Sequence, residues 1–412
     1  MRIGIEAQRI FRRKKHGMDI VALESLRHLQ QLSEQPGHEH EYVVFVKPGE
    51  DPCLESSRNL FVYELDAPSY PVWEQVALPQ AAKKAGVDVL HCTSNTAPLN
   101  SPVPTVVTVH DVIYLEGRAS AILRGSGTWY QRLGNLYRRQ VVPSVANRAA
   151  KVLTVSEYER RRILDTLPMP AGEMKAKLDV VYNGVGAHFR PVESAAEQRR
   201  VRQRYGLPED FLFFLGNTDP KKNLPGVITA YVEYARRVAQ DGGAPTPLVI
   251  ADYAREALDV HLRALYALDL APRFILPGYM ANTDLPAIYS QAALFLYPSL
   301  RESFGIPILE AMACGAPVIT SRAASMPEVA GDAAVLIEPT QPSSLASAIR
   351  HVLADATLQA DLRRQGFARA EHFSWARTAG RLVEIYEEVA GAPVPTAVPN
   401  PIAAEPAFRL AA

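Results

Sequence analysis

The stretch Tyr297-Pro298-Ser299-Leu300-Arg301-Glu302-Ser303-Phe304-Gly305-Ile306-Pro307-Ile308-Leu309-Glu310-Ala311-Met312-Ala313-Cys314-Gly315 changes character twice within a few turns of chain. The apolar run from Ala292 to Tyr297 reads as a buried strand, and Pro298-Ser299 ends it. A loop carrying Glu302, Ser303 and Gly305 then opens a short helix, with Pro307 near its first position and Gly315 just past its end. A strand, a loop of small residues and a helix start together make an anion site. Free backbone N-H groups and the positive end of the helix dipole face the ligand, and Gly305 has no side chain to keep a phosphate away. Glu302 and Glu310 bracket this site, and two carboxylates beside a phosphate repel it. They suit hydroxyl groups on either side of the phosphate instead, and a nucleotide sugar has that layout: ribose, diphosphate, hexose. The plainer reading is a surface loop with two solvated acids.

Outward from this stretch, strands alternate with helical segments in both directions. In the first part strands are expected at Arg2 to Ala7, Tyr42 to Val46, Val87 to His91, Thr105 to Val109, Val152 to Val155 and Asp179 to Tyr182, with a helix from Met18 to Leu32. Ser156-Glu157-Tyr158-Glu159 is a capping box that starts another helix. After a polar stretch around Glu193 to Arg204 the pattern restarts, with strands at Phe211 to Leu215, Pro247 to Ala251, Arg273 to Leu276, Ala293 to Tyr297, Val318 to Thr320 and Val335 to Ile337. This alternation predicts an α/β protein of two doubly wound, Rossmann-like domains with ligands at the carboxyl ends of the strands, in a cleft. The expected division is residues 1–190, 191–375, a final helix over 376–390 that returns to the first domain, and a disordered tail over 391–412.

At 412 residues with 48% hydrophobic content the chain supports two cores. Its net charge of zero gives no bulk attraction to nucleic acid, so no nucleic-acid partner is expected. Residues 1–192 hold 24 Lys+Arg against 20 Asp+Glu, the rest of the 44 of each following them, which is a weak hint of a basic acceptor side. Three scattered cysteines, Cys53, Cys92 and Cys314, fit a reducing cytosol better than a disulfide framework or a zinc site. Neither a signal peptide nor a membrane span is visible, so a cytoplasmic location is expected, with peripheral contact at the inner membrane face as an option. That option rests on Arg124 to Arg148, where Arg132, Arg138 and Arg139 stand among Trp129, Tyr130, Leu133, Leu136 and Tyr137. A core helix with a charged outer face explains the same pattern.

Other positions carry chemistry. The loop from Gln8 to Gly17 holds Arg9, Arg12, Arg13, Lys14, Lys15 and His16 and ends at a helix start, so it reads as a phosphate loop or as a solvated charge run. Lys222 closes the loop Gly216-Asn217-Thr218-Asp219-Pro220-Lys221-Lys222-Asn223, where a cation on a flexible stem suits a diphosphate or simply faces water. His110 ends a strand beside Asp111 and reads as a site residue or as packing. Pro277-Gly278-Tyr279 is a turn that needs no function to explain it. An Asp-x-Asp metal motif does not occur, so neither metal nor cofactor is expected, and without a Gly-x-Gly-x-x-Gly after the first strand a dehydrogenase is disfavoured.

The pattern Pro-Ser-x-x-Glu302-Ser303-Phe304-Gly305-x-Pro-x-x-Glu310-Ala-Met-Ala-Cys-Gly resembles the donor-site signature of the retaining glycosyltransferases of family 4, which have the GT-B arrangement of two Rossmann-like domains. The resemblance implies that Glu302 approaches the donor sugar, that Glu310 holds the ribose and that Ser303, Phe304 and Gly305 give amides to the diphosphate. Asp219-Pro220-Lys221-Lys222-Asn223 resembles the family's Glu-Pro-Arg-Lys-Asn segment, which implies a diphosphate role for Lys222 aided by Lys221. Some relatives have an arginine where Asn217 stands, which throws more of the leaving-group charge onto Lys222. By the same resemblance His110 reaches the donor sugar and the reaction centre, Gly17 meets the diphosphate, and Gly278 lies at the nucleobase.

The activity that this resemblance implies is that of a retaining hexosyltransferase without metal. Mannose from GDP-mannose is the favoured donor, with UDP sugars as the other option, and the acceptor is a saccharide or lipid-linked saccharide of a cell-surface polysaccharide. The competing expectations are a sugar-nucleotide 2-epimerase of the same fold, which forms product without acceptor, and a protein that binds nucleotide sugar or glycan without turnover.

Overall fold

The computed structural model describes residues 1–115, 129–167, 171–216 and 219–391, with the side chains of 129–133 and 171 left out of the description. The expected tail lies almost wholly outside the described residues.

Seven strands form the first sheet: β1 (Arg2–Glu6), β2 (Glu41–Val46), β3 (Leu60–Glu64), β4 (Val89–Cys92), β5 (Thr105–Thr108), β6 (Lys151–Thr154) and β7 (Leu178–Val180), in the order β3-β2-β1-β4-β5-β6-β7. Six form the second: β8 (Leu212–Phe214), β9 (Leu248–Ile250), β10 (Phe274–Ile275), β11 (Leu294–Tyr297), β12 (Val318–Ser321) and β13 (Ala334–Ile337), in the order β10-β9-β8-β11-β12-β13. β1 runs parallel to β2 and β4, and β8 and β11 run parallel to each other and to their outer neighbours β9 and β12. Central strands read as unbroken apolar runs because both faces are covered: Leu212, Phe213 and Phe214, and Leu294 through Tyr297, are all buried.

β3 is absent from the sequence expectation. It is an edge strand whose burial fades from Leu60 to Glu64, so Leu-Phe-Val-Tyr-Glu has neither the continuous apolar run of a central strand nor clean alternation. The helix Gly17–Ser33 follows the first strand as expected, and helix Glu157–Thr166 begins at Ser156, whose hydroxyl accepts from the Glu159 amide.

The chain resolves into two compact units that are not separated by a single cut near residue 190. One contains Met1–Thr108, Ser144–Val152 and the residues from Ala379; the other contains Val109–Pro143 and Leu153–Thr378. Segment Ser156 to Tyr158 is bonded within the second of these units. Ser156 Oγ donates to the Ser303 carbonyl at 2.7 Å, and the Glu157 and Tyr158 amides donate to the Glu328 carboxylate at 2.6 and 3.0 Å. Helix Trp375–Ala390 is divided between the units. In its first turn Thr378 donates to the Tyr182 carbonyl; further on Tyr386 meets His91 at 2.7 Å, Glu387 meets His40 at 2.8 Å and Glu388 accepts from Lys151 at 2.7 Å.

Candidate active site

In a doubly wound sheet the crevice opens where the strand order reverses. In the second sheet that point lies between β8 and β11, and each runs at its carboxyl end into one of the loops singled out above. The two loops are stitched together. The Leu300 amide donates to the Lys221 carbonyl at 2.7 Å, and Asn223, in the left-handed region at φ 61°, donates from Nδ2 to the carbonyls of Pro298 at 3.2 Å and Pro339 at 2.8 Å. Asp219 caps the single turn Pro220–Lys222 by accepting from the Lys221 amide at 3.1 Å.

This stitching places Lys222 Nζ 2.7 Å from Glu302 Oε1, and both side chains are largely buried. Lys222 also donates to Tyr297 Oη at 2.8 Å and sits 4.7 Å above the ring of the same tyrosine. The residue expected at the diphosphate and the one expected at the donor sugar therefore meet each other, as a desolvated pair keeps its charge compensated. Burial and the neighbouring Glu302 push the Tyr297 phenol well up, so it stays protonated. Lys221 lies 3.6 Å from Asp219 and is 41% exposed, whereas Lys222 is the buried one of the two.

Hydroxyl groups hold the carbonyls of the second loop. Thr320 donates to Tyr297 O at 2.8 Å, Ser321 to Ser299 O at 2.6 Å, Ser325 to Glu302 O at 3.0 Å and Phe304 O at 2.9 Å, and Ser156 to Ser303 O at 2.7 Å. In a planar trans peptide the carbonyl of one residue and the N-H of the next point in opposite directions. With the carbonyls of Glu302, Ser303 and Phe304 turned inward, the amides of Ser303, Phe304 and Gly305 are turned outward, and among the described residues they donate to no group. Gly305, at φ 103°, then starts helix Ile306–Ala313. Three outward amides at a helix start beside a buried lysine are an arrangement suited to a polyanion. The Phe304 ring takes no part; it is buried against Tyr182 and Phe373 at 6.1 and 5.6 Å, so this residue offers only its amide.

Glu310 stands on that helix and accepts from Tyr289 Oη at 3.2 Å. Burial pushes its carboxyl up to about 7, a rise limited by the Tyr289 hydroxyl and by Lys222. Gly278, at φ 75°, follows β10; its carbonyl accepts the Asp252 amide at 2.8 Å, and Tyr279 beside it is 73% exposed. His110 is buried just past β5, and the Asp111 carboxylate accepts the Ile113 amide at 3.2 Å, a structural task. Asn217 lies outside the described residues. Gly17 is the first residue of helix Gly17–Ser33, exposed, with nothing within 4 Å of where a Cβ would stand, so local packing does not demand glycine there. In the loop before it Arg9 pairs with Asp19 at 3.0 Å and Lys15 with Asp51 at 2.5 Å, so these two cations are engaged locally, while Arg12, Arg13 and Lys14 are exposed.

Helix Trp129–Arg148 forms, but Arg124 and the side chains of Trp129, Tyr130, Arg132 and Leu133 lie outside the description. Leu136 is 54% exposed, and Arg139 donates to the Tyr114 carbonyl at 2.8 Å. Among the described residues no helix is long and apolar enough to cross a membrane.

Several working residues escape the sequence reading. Tyr297 reads only as the end of a strand and Tyr289 carries no reading in the sequence, yet each presents a hydroxyl to a carboxylate or to Lys222. A tyrosine at the carboxyl end of a strand, directly before the decisive loop, is the signal available for Tyr297.

Comparison with known proteins gives the family and the fold. The model for glycosyltransferase family 4 matches residues 16–188, and that for glycosyl transferases group 1 matches residues 197–369. The chain belongs to glycosyltransferase family 4 and has its GT-B fold of two parallel α/β sheets. It is 31% identical over 241 residues to the O-antigen chain mannosyltransferase B of Escherichia coli, covering 58% of this chain and 61% of that one. To a D-inositol 3-phosphate glycosyltransferase of Salinispora arenicola it is 32% identical over 228 residues, covering 52% and 50%. The chain thus spans half to three-fifths of the length of these two curated relatives. Among solved structures, HepE of Anabaena in complex with UDP-glucose superposes with a TM-score of 0.67 at 17% identity, over 94% of this chain and 100% of that one.

Proposed function

We propose that the chain is a retaining hexosyltransferase whose donor diphosphate docks on the amides of Ser303, Phe304 and Gly305 beside Lys222. The observation that supports this reading is the inward turn of the loop carbonyls, which leaves three amides unbonded among the described residues near a buried ammonium, a set suited to the charge that grows as a sugar departs. Glu310 accepts from the ribose hydroxyls. Glu302 exchanges its contact with Lys222 for the donor sugar once a diphosphate has claimed the ammonium, and His110 completes the sugar end. Electrostatic stabilisation of the leaving group comes from the lysine and the amides, and the departing phosphate takes the acceptor proton on the same face.

Mannose from GDP-mannose is the favoured donor, supported by the E. coli relative named a mannosyltransferase. A UDP sugar is the alternative, supported by the UDP-glucose complex of a protein that shares the fold. The acceptor is a saccharide or lipid-linked saccharide. Incubation of the purified chain with GDP-mannose or UDP-glucose, with and without a mannose-terminated oligosaccharide, tests this. Acceptor-dependent release of the nucleotide with an axial linkage in the mannose case supports it; an altered sugar formed without acceptor means an epimerase.

A further inference from the structure

The decisive loop is held by residues far from it in sequence. Glu159 is fully buried, and its carboxylate accepts two nitrogens of Arg301, at 2.5 and 3.2 Å. The Arg301 guanidinium also lies 4.6 Å over the ring of Tyr158, and its Nη1 reaches the Glu302 carbonyl at 3.4 Å. Three residues earlier, Ser156 is fully buried and uses its one hydroxyl twice, accepting from the Glu159 amide at 3.1 Å and donating to the Ser303 carbonyl at 2.7 Å. Ser156 and Glu159 fall in the region matched by the first family model, Arg301 and Ser303 in that matched by the second. Glu328 ties the same segment down by accepting the Glu157 and Tyr158 amides, while its own backbone carbonyl accepts from Arg369 at 2.6 Å.

We propose that Ser156 and the Glu159–Arg301 pair are positioning residues that hold the loop Arg301–Gly305 with its carbonyls inward, so that its three amides are aimed at the donor diphosphate before it arrives. The inference rests on the reading of this loop as a diphosphate site. Two constraints act on successive peptides of the loop. The bidentate pair fixes Arg301, and with it the direction in which the chain enters Glu302; the serine fixes the Ser303 carbonyl, and therefore the Phe304 amide. Ser325 alone leaves the central peptide of the loop without a partner for its carbonyl, free to flip its N-H away from the ligand. Preorganised donors are effective because they need no reorganisation when charge develops, and losing this clamp reinstates that reorganisation.

The test uses the full chain. Calorimetry measures the affinity for GDP or UDP, whichever the wild type binds, and competition measures the affinity for the matching nucleoside. Glu159→Gln, Ser156→Ala and Arg301→Lys should each weaken the diphosphate about tenfold or more, the scale of one charge-assisted hydrogen bond, and leave the nucleoside within about twofold. Because Glu159 and Arg301 act as one unit, the double variant Glu159→Gln/Arg301→Lys should lose no more than the worse single one. Ser194→Ala is the control for a lost helix cap: Ser194 accepts the Glu197 amide at 3.4 Å, away from the loop, and its loss should move neither affinity. Equal loss of diphosphate and nucleoside affinity, or no loss in folded Glu159→Gln and Arg301→Lys, overturns the positioning role. A wild type that binds neither GDP nor UDP overturns the diphosphate reading itself, and the inference falls with it.

Discussion

The two sheets share one winding, and their switch points are filled in opposite ways. Between β1 and β4 the backbone amides are already taken: the buried Glu6 carboxylate accepts those of Gln8 at 2.9 Å and Thr93 at 3.1 Å. Buried Glu74 lies close enough to add to the upward push on Glu6, and accepts from Tyr70 at 2.6 Å and from Thr96. Between β8 and β11 the loop amides are turned outward, and beside them Lys222 and the Glu302 carboxylate are paired with each other. Topology alone thus provides a crevice at the carboxyl ends, and the local residues decide whether an anion is welcome. A chain carboxylate fills the first place; in the second the amides are left for a ligand.

That contrast predicts its largest effect at Lys222. Lys222→Ala should reduce transfer about 100-fold or more and weaken nucleoside diphosphate binding, because the ammonium meets charge that grows as the sugar leaves. Glu302→Ala should also transfer poorly, yet bind free diphosphate as well as or better than wild type, since it releases Lys222 from a 2.7 Å pair. Paired calorimetry and transfer assays decide this, and loss of diphosphate binding in Glu302→Ala would reverse the placement of the sugar end.

The next effect belongs to Glu310, whose carboxyl is pushed up to about 7 by burial. A ribose held by the ionised form should bind more tightly as pH rises from about 6 to 8. Binding of the nucleoside alone, which carries no titrating phosphate, should follow that rise in wild type, while Glu310→Gln should bind about tenfold more weakly at pH 8 with no such rise.

On the closed side, Glu6 is pushed up to about 7 from an ordinary 4.5, chiefly by burial. The folded chain therefore keeps a proton that the unfolded chain releases between those values. Stability falls as pH rises through that window, by up to about 1.4 kcal/mol per unit from this group. Glu6→Gln should flatten that fall in urea titrations from pH 4.5 to 7.5 and leave nucleotide affinity unchanged; a variant that loses nucleotide affinity would place Glu6 in a binding site after all. The smallest effect is expected at Gly305→Ala, where φ is 103° and the added Cβ meets Ile308 Cδ1 at 3.3 Å. A loss of about 1–2 kcal/mol in unfolding free energy is the expected cost of a left-handed alanine.

Much of this was legible in the primary structure because it is local. Unbroken apolar runs mark the buried strands, Pro307 and Gly315 frame the site helix, and Ser156 marks a helix start. Edge strand β3 stayed hidden because half-exposed residues carry no clear period. What joins Lys222 to Tyr297 across 75 residues, or Ser156 to Ser303 across 147, has no local signature, since each partner also has an ordinary local explanation. The same holds for the pairing of Glu159 with Arg301, 142 residues apart.

The central claim concerns three amides, so the most direct measurement watches them. In the full chain labelled with 15N at serine, phenylalanine and glycine, the amide resonances of Ser303, Phe304 and Gly305 should move strongly downfield on saturation with GDP or UDP and much less with the matching nucleoside. A nucleoside diphosphate that binds tightly while those three resonances stay in place would contradict the account.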